Sequence, residues 1–261
     1  MIGNFDYHAD QQTGNSPVSS DIVGGEGDNY GFLIAFNDNG SVNSIDGSLG
    51  FRVRLDKPDQ DGNNPAEFDN VLWVAIDANG NGSLDVFLAA NFAGSTSAIQ
   101  IWAPGNDSNT SPSTTSIAST PYQSYTVDSI EDVTVANYNY RAVDIQADGG
   151  TTNDVTTGTA DDTDYYLSFM VPFADIVQYL GSLAAPINIT DQTSLRFVVA
   201  TSTQDNSLNQ DLGGLPNNFD DTQSWQNLGG FTPPYTPVPE PSGSLLLLGS
   251  LAGGCLFRRR R

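Results

Sequence analysis

Short apolar runs recur along the chain between residues 30 and 202, and they either alternate with polar positions or are rich in β-branched and aromatic residues. Both patterns are typical of β-strands. The clearest alternation is at residues 49–55, where the apolar side chains face one way and Arg52 and Arg54 face the other. The pattern predicts strands over residues 30–36, 49–55, 71–76, 84–90, 98–102, 132–137, 140–146, 165–171 and 194–201.

Turn-forming sequences separate these runs, among them NDNG at residues 37–40 and NGNG at residues 79–82. Many short strands joined by such turns predict a mainly β fold, either a sandwich or a jelly roll. We place this domain at residues 30–228, after an N-terminal segment of residues 1–29. Residues 203–228 are polar with scattered apolar side chains, and we expect a long loop packed on the body.

One segment has helical periodicity. It begins at Pro172 and ends at Gly181, as expected for a proline at the first turn and a glycine at the stop. Its apolar residues recur at the spacing of one helix face, namely Phe173, Ile176, Val177 and Leu180. The segment predicts one short helix that covers an end or a sheet of the sandwich.

The charge is strongly acidic: 9 Lys and Arg against 31 Asp and Glu give a formal net charge of −22. Such a surface repels phosphate backbones, which excludes nucleic acid as a partner. The single cysteine (Cys255) and single histidine (His8) exclude an intramolecular disulfide and zinc sites built from several His or Cys ligands. Carboxylate chemistry and metals with oxygen ligands remain.

The C-terminus has three parts in a fixed order. Residues 229–241 are rich in proline and glycine and predict an extended linker. Residues 242–257 contain neither charge nor proline, and as a helix they would span roughly 24 Å at about 1.5 Å per residue. We predict a short transmembrane helix there. The chain then closes with four cations that hold this end on the cytoplasmic side, namely Arg258, Arg259, Arg260 and Arg261.

This tail, residues 238–261, resembles the PEP-CTERM sorting signal of bacterial surface proteins. The matching motif is Val238, Pro239, Glu240 and Pro241, followed by the apolar run and the arginines. The resemblance implies export, tethering in the inner membrane, processing by an exosortase, and association with extracellular polysaccharide at the cell surface. An ordinary tail anchor or a buried helix is the alternative. Residues 1–10 have neither the basic nor the apolar region of a signal peptide. We therefore expect that the start is missing or misassigned and that a signal peptide lies upstream of Met1. Export by another route is the alternative.

The body also resembles the DOMON and family-9 carbohydrate-binding-module sandwiches. The resemblance lies in the order of strand, acidic turn and strand, and in a late strand that runs through Val171, Pro172 and Phe173 into a short helix. It covers roughly residues 20–202, and it implies a sandwich fold.

An acidic turn at residues 77–85 is the best candidate for chemistry. Its ligand-type side chains are Asp77, Asn79, Asn81 and Asp85. With Gly82 they match the first nine positions of an EF-hand calcium loop, but Leu88 stands where the bidentate glutamate belongs. The flanks read as strands, so we predict a calcium loop on a β-hairpin, completed by carboxylates from elsewhere. A plain Asn-Gly hairpin turn is the alternative.

The remaining acidic clusters, at residues 59/61, 161/162/164 and 220/221, read as solvated loops that could each supply a further ligand. Among the aromatic residues, Trp102 and Trp225 are the best candidates for exposed platforms that stack on sugars. We therefore expect a non-enzymatic exported protein that binds polysaccharide and calcium. A secreted carbohydrate-active enzyme with paired carboxylates, or an inert structural or adhesive protein, is the alternative.

Overall fold

The computed structural model describes residues 2–4, 21–24, 30–38, 45–56, 68–94, 96–127, 137–155, 163–208, 210–215 and 219–237. The strands, in chain order, are β1 (Ile2–Asn4), β2 (Phe32–Asn37), β3 (Ser48–Leu55), β4 (Val71–Asp77), β5 (Val86–Asn91), β6 (Ala98–Trp102), β7 (Gln123–Thr126), β8 (Tyr138–Ala142), β9 (Tyr165–Pro172) and β10 (Arg196–Ser202). All strand pairings are antiparallel.

The strands form two sheets of five. The first sheet has the order β1-β2-β3-β9-β8, and the second has the order β10-β4-β5-β6-β7. A single core of buried side chains is drawn from both sheets, so the two sheets pack face to face. The predicted class, a mainly β protein of sandwich type, is confirmed.

Phe51 of β3 lies at the centre of this core. Its ring centroid is 5.2 Å from that of Phe169 in its own sheet and 5.7 Å from that of Phe197 in the opposite sheet. The predicted alternation of residues 49–55 places all four apolar side chains of that strand in the core. The alternation of apolar and polar residues in β3 therefore specifies which of its side chains face the core, and with them the register of its pairing in the first sheet.

The second sheet is covered on its outer face as well. A second hydrophobic cluster includes Trp73 and Phe87 from the sheet together with Leu212 and Trp225 from the long polar region. We call residues 203–231 the cover segment, in the parts that the structure describes. The prediction of a long loop packed on the body is confirmed. Burial on both faces explains why β4, β5 and β6 read as continuous apolar runs.

The described residues form three α-helices and one 3-10 helix. The α-helices are α1 (Ile145–Asp148), α2 (Phe173–Gly181) and α3 (Trp225–Leu228), and the 3-10 helix is Pro112–Thr114. Helix α2 is the predicted one, and it buries Phe173, Ile176 and Leu180 against the core between the sheets. Within the described residues no helix is long and apolar enough to cross a membrane. The predicted transmembrane segment, residues 242–257, lies outside the described residues.

Some boundaries differ from the predictions. The strand predicted over residues 140–146 ends at Ala142, because the side chain of Asp144 accepts the Gln146 N–H and starts α1. Strand β7 has no apolar pattern because it forms the edge of the second sheet and is largely exposed. Most of the predicted strand at residues 132–137 lies outside the described residues.

The described part of the predicted linker, residues 229–237, makes backbone contacts with the body. The N–H of Thr232 donates to the Phe197 carbonyl at 2.8 Å, and Tyr235 exchanges two backbone hydrogen bonds with Leu195. Tyr235 is also buried in the core between the sheets. The chain therefore pairs with the body as far as Tyr235, within the segment predicted as linker.

Candidate functional site

The predicted calcium turn joins β4 to β5 at one end of the second sheet. Asp77 is the last residue of β4, and its register partner on the neighbouring strand β10 is Arg196. The turn reverses through Gly80 and Gly82, whose φ angles of 75° and 83° lie in the left-handed region that glycine accepts without strain. The structure thus brings all four predicted ligand residues into one turn.

The carboxylate of Asp77 is fully buried and accepts four hydrogen bonds. Its Oδ1 accepts the N–H groups of Gly80 at 2.8 Å and Asn81 at 3.2 Å. Its Oδ2 accepts the N–H of Gly82 at 3.0 Å and a short hydrogen bond from the guanidinium of Arg196. A cation at this carboxylate would therefore have to share it with the positive charge of Arg196.

The other three candidate side chains also accept backbone N–H groups within the turn. Asn79 accepts from Asn81 at 3.0 Å, and Asn81 accepts from Ser83 at 2.8 Å. Asp85 Oδ2 accepts from Ala78 at 2.8 Å. The hairpin-turn alternative accounts for all of these contacts without an ion, and calcium binding at this turn stays a prediction.

Asp85 and Tyr179 have perturbed acidities near this turn. Burial raises the pKa of Asp85 above its usual range, and the charge of Asp77 raises it further. Burial also raises the pKa of Tyr179 to about 12, and the charge of Asp85 adds to that effect. The ring of Tyr179 packs edge-on against Tyr122 with the centroids 5.1 Å apart.

An open cleft of about 760 Å³ adjoins the turn. One wall carries Asn79, Asn81 and Asp85, and the facing wall comes from the connection between α2 and β10, including Asn188 and Thr193. Tyr122, beside Tyr179, is 42% exposed and is one of two large apolar side chains exposed among the described residues. Amides, a carboxylate and an exposed ring are the groups with which proteins bind sugars.

The prediction that Trp102 and Trp225 are exposed platforms is wrong. Trp102 is 3% exposed and Trp225 is fully buried, both in the cluster between the second sheet and the cover segment. The indole N–H of Trp225 donates to the Ser108 carbonyl and to the Thr115 hydroxyl. The sequence places both tryptophans next to polar loops, but those loops fold back over the sheet and enclose them.

The structure contains a second acidic cluster, whose members the sequence analysis did not bring together. Asp164 was grouped by sequence with residues 161 and 162, which lie outside the described residues. In the structure it meets Asp56 and Asp154, and one carboxylate oxygen from each lies within 4.8 Å of the others. Arg54 is fully buried beside them, with its Nε 2.5 Å from Asp164 Oδ2. Burial raises the pKa of Asp164 to about 7, although the charge of Arg54 opposes the shift.

One feature of the sequence could have indicated this acidic cluster, namely an arginine within the alternating strand β3. Arg54 occupies an outward position of β3, where a solvated side chain is expected, yet it is buried. The pair at residues 220 and 221 fits its predicted role as a polar loop. Asp220 is exposed, Asp221 is half-buried, and Asp220 accepts from Thr222 and Gln223 nearby in the chain. Residues 59, 61 and 238–261 lie outside the described residues.

Comparison with known proteins returns no relative: no family model, no curated protein and no solved structure matches this chain. The class that the fold defines is an acidic protein with a mainly β, two-sheet sandwich body.

Proposed function

We propose that this chain is an exported bacterial protein of the cell surface or extracellular matrix, sorted by its C-terminal segment. The observation that carries the proposal is the order of parts at the C-terminus: the Val-Pro-Glu-Pro motif at residues 238–241, an uncharged run at residues 242–257, and four arginines. An apolar helix with cations at one end is oriented by a bilayer, and the acidic body then lies on the outer side.

The position of the body relative to the motif supports the same proposal. Tyr235 is the last residue seen to pair with the sandwich, and Val238 follows three positions later. Cleavage near residues 238–241 would therefore release the body with its strand pairings intact. We include the transmembrane helix and the DOMON-like or jelly-roll arrangement of the sheets in this proposal.

The proposed role of the body is non-enzymatic binding of polysaccharide. The cleft beside the Asp77 turn supports this role, because its two walls carry hydrogen-bonding side chains. Tyr122 does not line the cleft, but its exposed ring packs on Tyr179, which senses the charge of the cleft residue Asp85. A neutral or cationic glycan suits the cleft better than an anionic one, because Asp85 lines it and the whole chain is acidic.

The sorting proposal is tested in the native host by replacing Arg258 to Arg261 with serine, and with lysine as the matched control. We expect the serine variant to lose membrane retention or processing in cell fractionation, because the positive end of the helix is gone. The lysine variant keeps the charge and should mature normally. Normal maturation of the serine variant would contradict the proposal.

The binding role is tested on a glycan array, with hydrolysis of each bound glycan measured in parallel. Tyr122→Ala should weaken binding about tenfold, which corresponds to loss of one stacked ring at roughly 1.4 kcal/mol. Met170→Ala is the matched control, since Met170 is 37% exposed and lines the outer face of the first sheet instead. Turnover of a bound glycan would favour the enzyme alternative.

A further inference from the structure

We propose that Asp56, Asp154 and Asp164 form a cation site and that calcium is its ion. This site lies away from the Asp77 turn and belongs to the other sheet. The inference does not depend on the sorting signal or on glycan binding.

The fold brings the three carboxylates to one end of the first sheet. Asp56 directly follows β3 and Asp164 directly precedes β9, and the flanking residues Leu55 and Tyr165 are register partners. The loop that carries Asp154 is fixed to the same point. There, the Asp164 N–H donates to the Asn153 carbonyl at 2.9 Å.

The carboxylate of Asp164 carries an oxygen with no hydrogen-bond partner among the described residues. Asp164 is fully buried, and its Oδ2 accepts from Arg54 at 2.5 Å and from the Val155 N–H at 2.9 Å. Its Oδ1 accepts nothing. A buried acceptor left without a partner is unfavourable by about 1–3 kcal/mol, and more when it is charged. A bound cation would supply the missing partner.

The charges of the described groups also favour a cation. Three carboxylates and one guanidinium, that of Arg54, meet at this point. The Nη2 of Arg54 donates to the Thr152 carbonyl at 2.9 Å, and its Nε donates to Asp164 Oδ2, so neither of these bonds satisfies Asp164 Oδ1.

The ligand type indicates calcium. The three carboxylate oxygens lie within 4.8 Å of one another, close enough for one ion with oxygen ligands at about 2.4 Å to contact all three. Magnesium usually keeps several waters and is held by one or two carboxylates, so a cluster of three carboxylates suits calcium better. Three hard oxygen ligands suit calcium rather than zinc.

Isothermal titration calorimetry of the metal-free full chain with calcium chloride tests the site. We expect a binding event that weakens at least tenfold in Asp154→Asn and in Asp164→Asn. The matched control is Asp205→Asn, which removes one exposed carboxylate elsewhere and should leave the affinity unchanged. Asp77→Asn, at the hairpin turn, should also leave this event unchanged.

Three results would overturn the proposal. One is no calcium binding by the native chain up to about 10 mM, well above the weakest range of extracellular sites. Another is that Asp77→Asn loses calcium binding while Asp154→Asn retains it. A third is tighter binding of magnesium than of calcium. Circular dichroism checks that each variant is folded. Should Asp164→Asn unfold, Asp154→Asn decides, because Asp154 is only partly buried.

Discussion

Asp148 joins two arginines on the outer face of the first sheet. Its Oδ1 accepts from Arg52 at 3.2 Å and from Arg141 at 2.5 Å, while its Oδ2 accepts from Arg141 at 2.8 Å. Burial alone would raise the pKa of Asp148, but the hydrogen bonds from Arg141 and from the Asp144 N–H outweigh it and lower the pKa below its usual range. The charged form is therefore the one that the folded state favours.

We predict that Asp148→Asn destabilises the fold by about 1–2 kcal/mol at pH 7, because charge-assisted hydrogen bonds are lost from two half-exposed arginines. The folded pKa is lowered, so this contribution is complete above the unfolded pKa and is lost as the pH falls through the folded value. Urea unfolding of the native chain and of Asp148→Asn, at pH 7 and near pH 2.5, measures this contribution as the difference in their free energies of unfolding. A stability gap that stays constant between those pH values would contradict the assignment, and Asp205→Asn controls for net charge.

Gly80 and Gly82 provide a matched pair within the Asp77 turn. Both have positive φ, but a Cβ at Gly80 meets nothing within 4 Å, whereas one at Gly82 would lie 3.0–3.3 Å from the side chain of Gln226 in α3. Alanine at either position is strained by about 1 kcal/mol. We predict that Gly82→Ala costs about 1 kcal/mol more than Gly80→Ala, measured by urea unfolding, because the turn is packed against the cover segment. Equal losses of stability in the two variants would mean that Gln226 does not pack closely against Gly82.

At the scale of elements, the cover segment gives the second sheet a hydrophobic cluster on its outer face. Trp225 is the largest fully buried side chain of the cover segment, and its indole N–H has two partners. We predict that Trp225→Ala destabilises the protein by about 3–5 kcal/mol and Trp225→Phe by less, since phenylalanine keeps most of the buried area. Urea unfolding measures both, with Tyr122→Ala as the exposed aromatic control. A loss below about 1 kcal/mol in Trp225→Ala would mean that the segment is not packed as described.

Sequence predicted the elements whose burial has a simple period. The strand at residues 49–55 and helix α2 were predicted correctly because each buries a single face in the core between the sheets, which gives its apolar residues a regular spacing. The buried face of Trp225 was missed because the residues around it are polar, and its burial depends on a sheet distant in the chain. The group at Asp164 was missed for a similar reason, since the pairing of Leu55 with Tyr165 brings the adjacent residues 56 and 164 together from more than a hundred positions apart.

At the scale of the whole molecule, like charges dominate. Outside the terminal arginines only five basic residues oppose 31 acidic ones. The four arginines of the described residues, namely Arg52, Arg54, Arg141 and Arg196, each already pair with an aspartate. Most carboxylates are therefore left without a cation, and their repulsion destabilises the compact state.

Screening this repulsion should stabilise the protein. We predict that sodium chloride raised from about 20 mM to about 500 mM increases the melting temperature of the full chain in neutral detergent by roughly 2–4 °C, since the Debye length falls from about 20 Å to about 4 Å. Asp154→Asn should retain this rise while losing the response to millimolar calcium, which separates general screening from a specific site. A melting temperature that falls with salt would mean that the few ion pairs outweigh the repulsion, and the net charge would then not control the stability of the fold.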